Sequence, residues 1–172
     1  MPTHCEKKIV PYRSDQMFDL VADIASYPQF LPWCVASRIR SRKGNIVLAD
    51  LIVGFKMIRE RFTSKVELEP PEETGQAGAI NVEYLDGPLK SLRNQWKFTP
   101  TGNGEACEVD FFVDFEFRSK MLQKLASVFF SEVISRMVGA FEDRAQVLYG
   151  DLAEAEKRTG QKAKTIIIES TA

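Results

Sequence analysis

The sequence predicts an α+β domain in which a curved antiparallel sheet of seven strands wraps around one long helix near the C-terminus. Two observations predict it. Residues 35–117 alternate between apolar and polar side chains, the period of half-buried strands, and turn residues separate the runs. Residues 119–149 then contain no proline and carry apolar side chains at helical spacing.

The long helix is the element around which the rest of the chain is organised, and it would extend for about 45 Å. Its main apolar side consists of Leu122, Leu125, Ala126, Phe129, Val133, Met137, Ala140 and Leu148. Phe130, Ile134 and Phe141 widen that side beyond an ordinary apolar stripe. Such a helix needs a large apolar partner, which we expect to be the sheet. We expect the two surfaces to leave room between them for an apolar ligand.

Composition limits the classes of function. Of 172 residues 44% are hydrophobic, which is enough for a core, and 23 Lys and Arg balance 24 Asp and Glu. Near-zero net charge argues against a surface devoted to nucleic acid, although local basic patches remain open. Cys5, Cys34 and Cys107 lack metal or redox spacing, which indicates reduced thiols in a reducing compartment. His4 is the only histidine, which disfavours a Ser–His or His–metal site.

The chain before the strand-rich region predicts a strand at residues 4–12, whose inner and outer faces are unclear, and an amphipathic helix at 15–25 capped by Ser14. Residues 27–33 contain two prolines four residues apart, which favour a short helical turn followed by an extended exit. Their large apolar side chains have two interpretations: a plug for one end of the core, or a lip or membrane-facing gate over a cavity.

Six strands follow, at residues 35–42, 46–56, 58–68, 79–85, 92–98 and 107–117. Alternation places a set of large side chains inside: Phe55, Phe62, Tyr84, Trp96, Phe111 and Phe115. We interpret residues 1–150 as the domain and 151–172 as a flexible tail, whose run of three isoleucines could add to a sheet edge.

Two polar residues share the inward register with apolar neighbours: Glu60 and Asn94. Buried polar groups are costly unless they are paired. Either the register is shifted or a partner satisfies them, or they face a cavity and hold the polar head of a ligand.

Cationic side chains form two outward stripes: Arg38, Arg40 and Arg42, and Arg59, Arg61 and Lys65. They have two interpretations, a solvated sheet surface or a contact with acidic lipid head groups or RNA. No glycine-rich phosphate loop precedes a helix, and the inward faces supply few titratable groups for an enzyme.

The order of elements resembles the helix-grip fold of the START-like, polyketide cyclase and lipid-transport superfamily. Within it, several segments are similar to the coenzyme Q-binding protein family: residues 27–34, 53–56, 59–64, 85–90, 92–98, 111–117 and 141–150. The resemblance implies a non-enzymatic carrier or chaperone for ubiquinone that supports respiration or quinone biosynthesis. Bacterial members are often labelled ribosome-association toxins, and the same fold hosts polyketide cyclases and dehydratases, so both remain alternatives.

From these inferences we predict that a polyprenyl quinone or another lipid lies between the sheet and the long helix, with no catalytic residues, metal or further cofactor. The predicted ligand-binding residues are Phe30, Leu31, Trp33, Phe55, Glu60, Phe62, Tyr84, Asn94, Trp96, Phe111, Phe115, Phe129, Val133 and Met137. Because the first residues lack the pattern of a signal or transit peptide, we expect a bacterial cytoplasmic protein, with a peripheral contact at the inner membrane as an option. The sequence leaves the oligomeric state open.

Overall fold

The computed structural model describes residues 2–171, which form an eight-stranded sheet, three α-helices and a 3₁₀ helix. The strands are β1 (Thr3–Val10), β2 (Cys34–Lys43), β3 (Ile46–Phe55), β4 (Ile58–Glu69), β5 (Gly78–Asp86), β6 (Leu89–Thr101), β7 (Ala106–Phe117) and β8 (Lys164–Thr171). The helices are α1 (Ser14–Ala22), the 3₁₀ helix (Ile24–Gln29), α2 (Lys120–Tyr149) and α3 (Leu152–Thr159). The predicted α+β class and the long C-terminal helix are confirmed.

The sheet has the order β2-β3-β4-β5-β6-β7-β1-β8, and each neighbouring pair is antiparallel. Strands β2 to β7 follow one another along the chain, so each is joined to the next by a turn or short loop. Residues directly opposite each other in antiparallel strands lie on the same face of the sheet. The pairing therefore assigns side chains to two faces, a concave one against α2 and a convex one directed away from it.

The eighth strand comes from the segment that the sequence suggested was a flexible tail, and it corrects the predicted count of seven. The Asp151 side chain accepts a hydrogen bond of 2.9 Å from the Ala153 amide and begins α3, and Gly160 ends the helix with a left-handed φ of 70°. Strand β8 then pairs with β1 along its length. All residues of β8 are exposed, so it shows none of the inside–outside alternation by which a strand is recognised.

Helix α1 begins one residue earlier than predicted. Ser14 is already its first residue, and the cap is Arg13, whose backbone N–H donates a 3.0 Å hydrogen bond to the side chain of Gln16. The buried residues Met17, Phe18 and Val21 follow the predicted apolar face. The 3₁₀ helix after α1 contains Pro28, in agreement with the short helical turn expected there.

Two irregularities in the β2–β3 pairing change the predicted face of one arginine. Arg38 lies opposite Asp50 on the convex face, as expected, but the register shifts between Ile39 and Ser41. After the shift Arg42 lies opposite Val47, a residue of the concave face. The predicted stripe of three outward arginines on β2 is therefore wrong at Arg42, because an extra residue in a strand reverses the alternation that follows it.

Candidate ligand-binding site

Helix α2 touches the concave face at both flanks of the sheet and bridges the strands between them. Phe129 packs edge-on against Phe55 of β3, with ring centroids 5.5 Å apart. The next residue, Phe130, packs against Phe115 of β7 at 5.9 Å. Strands β4, β5 and β6 lie between β3 and β7, so the middle of the sheet lies beneath this bridge.

The main apolar stripe of α2 is only partly covered. Seven residues of this predicted stripe are half-buried: Leu122, Leu125, Ala126, Phe129, Val133, Met137 and Ala140. Leu148 of the same stripe is 46% exposed. The buried residues of α2 are instead Phe130, Ile134, Phe141 and Ala145. The first three were expected only to widen the stripe, and Ala145 lay outside it. Helix α2 thus buries a less apolar side in the core, while its most apolar side remains partly exposed.

The sheet residues beneath the bridge are also incompletely covered. Phe55, Phe62 and Tyr84 are half-buried, as is Leu92 of β6. Apolar surface that remains uncovered on two facing layers is the arrangement that a ligand-binding cleft needs. We call these sheet residues together with the half-buried stripe of α2 the open cleft.

An aromatic cluster stands at one end of the open cleft. Trp33 packs against Phe55 with ring centroids 5.5 Å apart, and the Lys56 ammonium lies 4.3 Å from the centroid of the Phe129 ring. Trp33 and Lys56 have φ angles of 64° and 55°, in the left-handed region that residues other than glycine rarely adopt. Backbone strain of this kind concentrates at ligand sites and switch regions.

The three residues predicted to form a lip do not stay together. Phe30 packs against Phe141 and Tyr27 at ring distances of 5.4 and 5.9 Å, and Leu31 is only 8% exposed. Both residues close one end of the core, which was the first of the two interpretations. Of the three, Trp33 alone lies at the open cleft.

The two predicted polar residues of the concave face differ in how they are satisfied. The Asn94 side-chain nitrogen donates a 3.0 Å hydrogen bond to the backbone oxygen of Phe112. Glu60 lies opposite Val53 in the β3–β4 pairing and is half-buried, and its carboxylate has no hydrogen bond or ion pair within residues 2–171. The Tyr84 hydroxyl accepts a 3.0 Å hydrogen bond from the Leu89 amide and so supports the β5–β6 turn.

The remaining predicted residues pack where the sheet and the second half of α2 meet. Trp96 lies 4.5 Å from Phe111 and 5.3 Å from Phe141 between ring centroids. A cavity of about 60 Å³ lies beside this cluster and is lined by Trp96, Phe111 and Phe141 together with Glu6 and Lys8 of β1. This volume corresponds to about two water molecules and is less than half of the ~150 Å³ that holds benzene in an apolar cavity. A prenyl group does not fit this cavity.

Strand β1 places a polar row on the concave face, which the sequence did not predict. His4, Glu6 and Lys8 lie opposite Val113, Phe111 and Val109. His4 Nε2 is 3.0 Å from Glu6 Oε2, and its Nδ1 is 3.0 Å from Ser170 Oγ of β8.

The last member of this row connects the two layers of the domain. The Lys8 ammonium forms an ion pair with the Glu142 carboxylate of α2. Burial lowers the pKa of Lys8, and the nearby Glu6 carboxylate partly opposes this effect. The row was not recognisable because both sets of alternate residues in β1 mix polar and apolar types, so only the partners of the strand reveal which set is inside.

Thiol and metal chemistry find no support in residues 2–171. Cys34 and Cys107 are buried, and burial raises the pKa of Cys107 to about 12, so its thiolate is scarce. No group of three His, Cys, Asp or Glu side chains there could hold a metal ion. None of the helices in this part of the chain is both long and apolar enough to span a bilayer.

The convex face carries cations, but cross-strand carboxylates pair with most of them. Arg61 pairs with Asp86, Lys65 with Glu83, Lys90 with Glu116, and Arg93 with Asp114. Within the described residues the side chains of Arg38 and Arg59 have no such partner. A shallow groove of about 500 Å³ also lies on this face, lined by Asn81, Gln95, Lys97 and Phe112 among others.

One of these networks is buried in spite of its position on the convex face. Asp50, 5% exposed, accepts hydrogen bonds of 2.6 Å from Thr63 and 2.8 Å from Arg40. Burial alone would raise the pKa of Asp50, but these hydrogen bonds outweigh it and hold the pKa below its usual range. Arg40 is therefore engaged within the fold, and the outward basic surface is smaller than the sequence suggested.

Comparison with known proteins agrees with this architecture. Residues 10–142 match the model of the family described as polyketide cyclase / dehydrase and lipid transport. The solution structure of protein CC1736 from Caulobacter crescentus is 34% identical, with a TM-score of 0.66 over 88% of this chain and all of that one. The Zhui aromatase/cyclase from a Streptomyces species has a TM-score of 0.61 over 87% of this chain and 99% of its own, at 16% identity, which shows the shared fold only.

Curated relatives bear two kinds of name. The mitochondrial coenzyme Q-binding protein COQ10 homolog B of Xenopus laevis is 38% identical over 150 residues, or 86% of this chain, and the match spans 59% of that protein's length. The ribosome association toxin RatA of Escherichia coli K12 is 38% identical over 149 residues, covering 87% of this chain and 90% of its own. The chain belongs to the polyketide cyclase / dehydrase and lipid transport family.

Proposed function

We propose that this protein binds a polyprenyl quinone, with ubiquinone as the leading candidate, and acts as a non-enzymatic carrier for it. The observation that carries the proposal is the partly covered apolar stripe of α2, which faces half-buried side chains of β3 to β6. A flexible prenyl tail placed there would bury apolar surface on both layers. Each 100 Å² so buried contributes about 2.5 kcal/mol. The name of the Xenopus relative supports the choice of quinone.

The polar groups of the open cleft favour the reduced head group. The carboxylate of Glu60 only accepts hydrogen bonds. The Asn94 amide presents its oxygen as an acceptor and, beside the N–H bound to the Phe112 carbonyl, one further N–H as a donor, so Glu60 carries the preference. A quinone carbonyl also only accepts, whereas the hydroxyls of a quinol donate. We therefore expect a quinol to bind more tightly than the corresponding quinone.

A reaction of the cyclase type lacks support in the cleft. Acid–base catalysis needs convergent titratable groups. Within residues 2–171 the carboxylate of Glu60 has no titratable hydrogen-bond partner, and the polar row of β1 lies beside the small cavity instead. A carrier needs no such pair, and no catalytic residue is assigned.

The decisive experiment is lipid analysis of the purified protein. We expect native mass spectrometry of protein purified from a quinone-producing host to show a non-covalent adduct, and solvent extraction to release a polyprenyl quinone. Protein that is purified without bound lipid and that fails to bind an added short-chain quinone or quinol would refute the proposal. Extraction of a different apolar lipid would support the cleft as a binding site and would show that its ligand is not a quinone.

A peripheral contact with the inner membrane would let the ligand move between bilayer and cleft. Met57, next to the aromatic cluster, is fully exposed at the β3–β4 turn, and Met121, in the first turn of α2, is 70% exposed. Lys56 and Lys120 stand beside them and suit anionic head groups. We propose that these residues of a cytoplasmic protein are directed toward the membrane.

Ribosome association is the second candidate function. The name of the Escherichia coli relative and the unpaired guanidinium groups of Arg38 and Arg59 on the convex face support it. It predicts co-sedimentation with ribosomal subunits that weakens as salt rises. Charge reversal at Arg38 and Arg59 should abolish co-sedimentation, while reversal of Arg61, which is already paired with Asp86, should have a smaller effect. Equal sedimentation of all three variants would remove this candidate.

A further inference from the structure

The two edges of the sheet differ in their protection against pairing with another strand. Strand β2 forms one edge and carries Arg38, Arg40, Arg42 and Lys43, together with two register shifts. Charged side chains and irregular register are devices by which proteins prevent edge-to-edge association. The edge formed by β2 is therefore blocked.

Strand β8 forms the other edge and has little of this protection. Its central residues Ile166, Ile167 and Ile168 are 45%, 61% and 55% exposed. It has no proline and one irregularity, opposite Cys5 and Glu6 of β1. Within residues 2–171 no strand pairs with its outer side, which leaves a row of backbone donors and acceptors available.

We propose that β8 pairs antiparallel with β8 of a second copy of this chain. A two-fold axis at Ile166 places this residue opposite Ile166 of the partner subunit. Because Ile168 is the extra residue of a bulge in β8, Lys164 then lies opposite Glu169 of the partner subunit, and symmetry repeats this contact at the other end. The sequence of β8 is thus complementary in charge to itself when reversed. The two Ile166 side chains lie side by side in the centre, where they cover one another, and each Ile167 lies opposite Thr165 of the partner subunit.

The proposed interface is independent of the ligand. Strand β8 lies after residue 142, outside the region matched by the family model, and its outer edge faces away from the open cleft. One strand pair buries less area than a permanent dimer interface. The dimer should therefore be reversible and should dissociate on dilution.

The test is sedimentation velocity of the full chain across a wide concentration range. We expect the mass to rise from the 19.5 kDa of the monomer to twice that value. Lys164→Glu and Glu169→Lys should each raise the dimer dissociation constant about 5- to 30-fold, because both cross-strand pairs become repulsive. The double variant should restore dimerisation, since the charges are exchanged but remain complementary.

The matched control is Lys162→Glu, which makes the same charge change two residues before β8 at an exposed position. It should leave dimerisation unchanged. A chain that stays monomeric at every concentration would overturn the proposal. So would a dimer that neither single reversal weakens, or one that the double variant fails to restore while circular dichroism shows all variants folded.

Discussion

Replacement of Phe62 by alanine tests the open cleft directly. The side chain belongs to the concave face of β4, is half-buried and lies opposite Leu51 of β3. A phenylalanine side chain presents roughly 150–250 Å² in all, so about 20–70 Å² of this half-buried one remains for a ligand. At about 25 cal/mol per Å² its removal should cost about 0.5–1.8 kcal/mol of binding free energy, or roughly 2- to 20-fold in Kd.

The assay is titration of the protein with a short-chain ubiquinone analogue, monitored by quenching of tryptophan fluorescence, since Trp33 lies at the open cleft. Phe112→Ala is the matched control, because Phe112 is also a half-buried phenylalanine of the sheet but lies opposite Gln95 on the convex face. A folded Phe62→Ala protein that binds the analogue as tightly as the parent would refute the placement of the ligand. Equal losses in both variants would point to a change in the sheet as a whole.

Three further predictions concern chemistry and stability. Iodoacetamide applied to the native protein should modify the half-buried Cys5 well before Cys107, because burial raises the pKa of Cys107 to about 12. Mass spectrometry of digests measures the order of modification, and equal rates for the two thiols would contradict the prediction. The lowered pKa of Asp50 stabilises the fold above about pH 3.9, the pKa of an unfolded aspartate, and this stabilisation is lost as the pH falls through the pKa of the folded protein. The difference in unfolding free energy between the parent and Asp50→Asn should therefore narrow below about pH 4 in urea titrations. A difference that stays constant would contradict the prediction. Gly87→Ala should lower Tm by several degrees in calorimetry, because φ is 139° and the new Cβ would lie 2.5 Å from the Arg61 carbonyl oxygen; an unchanged Tm would show that the turn relaxes freely.

Local patterns were sufficient for most of the fold. The alternation between residues 35 and 117 predicted six strands because each strand has one covered and one solvated face. The same logic failed for β8, whose residues are all exposed, and for Arg42, where an extra residue reverses the alternation. Both failures have one physical cause: edge strands are free to bulge or to lack a buried side, and their partners, rather than their own sequence, determine their conformation.

The candidate site was harder to predict than the fold. Periodicity identified which face of α2 is most apolar, but it could not show that Phe130 and Ile134 would be buried in preference to Phe129 and Val133. That choice depends on where the helix crosses the sheet. The polar row of His4, Glu6 and Lys8 was missed because a strand at the beginning of the chain has no predicted partner to orient it.

The two candidate functions use opposite faces of one sheet, and this separates them experimentally. Phe62 and Thr63 are neighbours in β4 and point to opposite faces, and Thr63 shares the convex face with Asp50 and Arg38 through the pairing of β2, β3 and β4. A ligand in the open cleft therefore leaves the convex cations uncovered. In a protein with both activities, Phe62→Ala should weaken quinone binding and leave ribosome association unchanged. Arg38→Glu should weaken ribosome association and leave quinone binding unchanged. If saturation with quinone instead released the protein from ribosomes, the two faces would have to communicate, for example through a movement of α2.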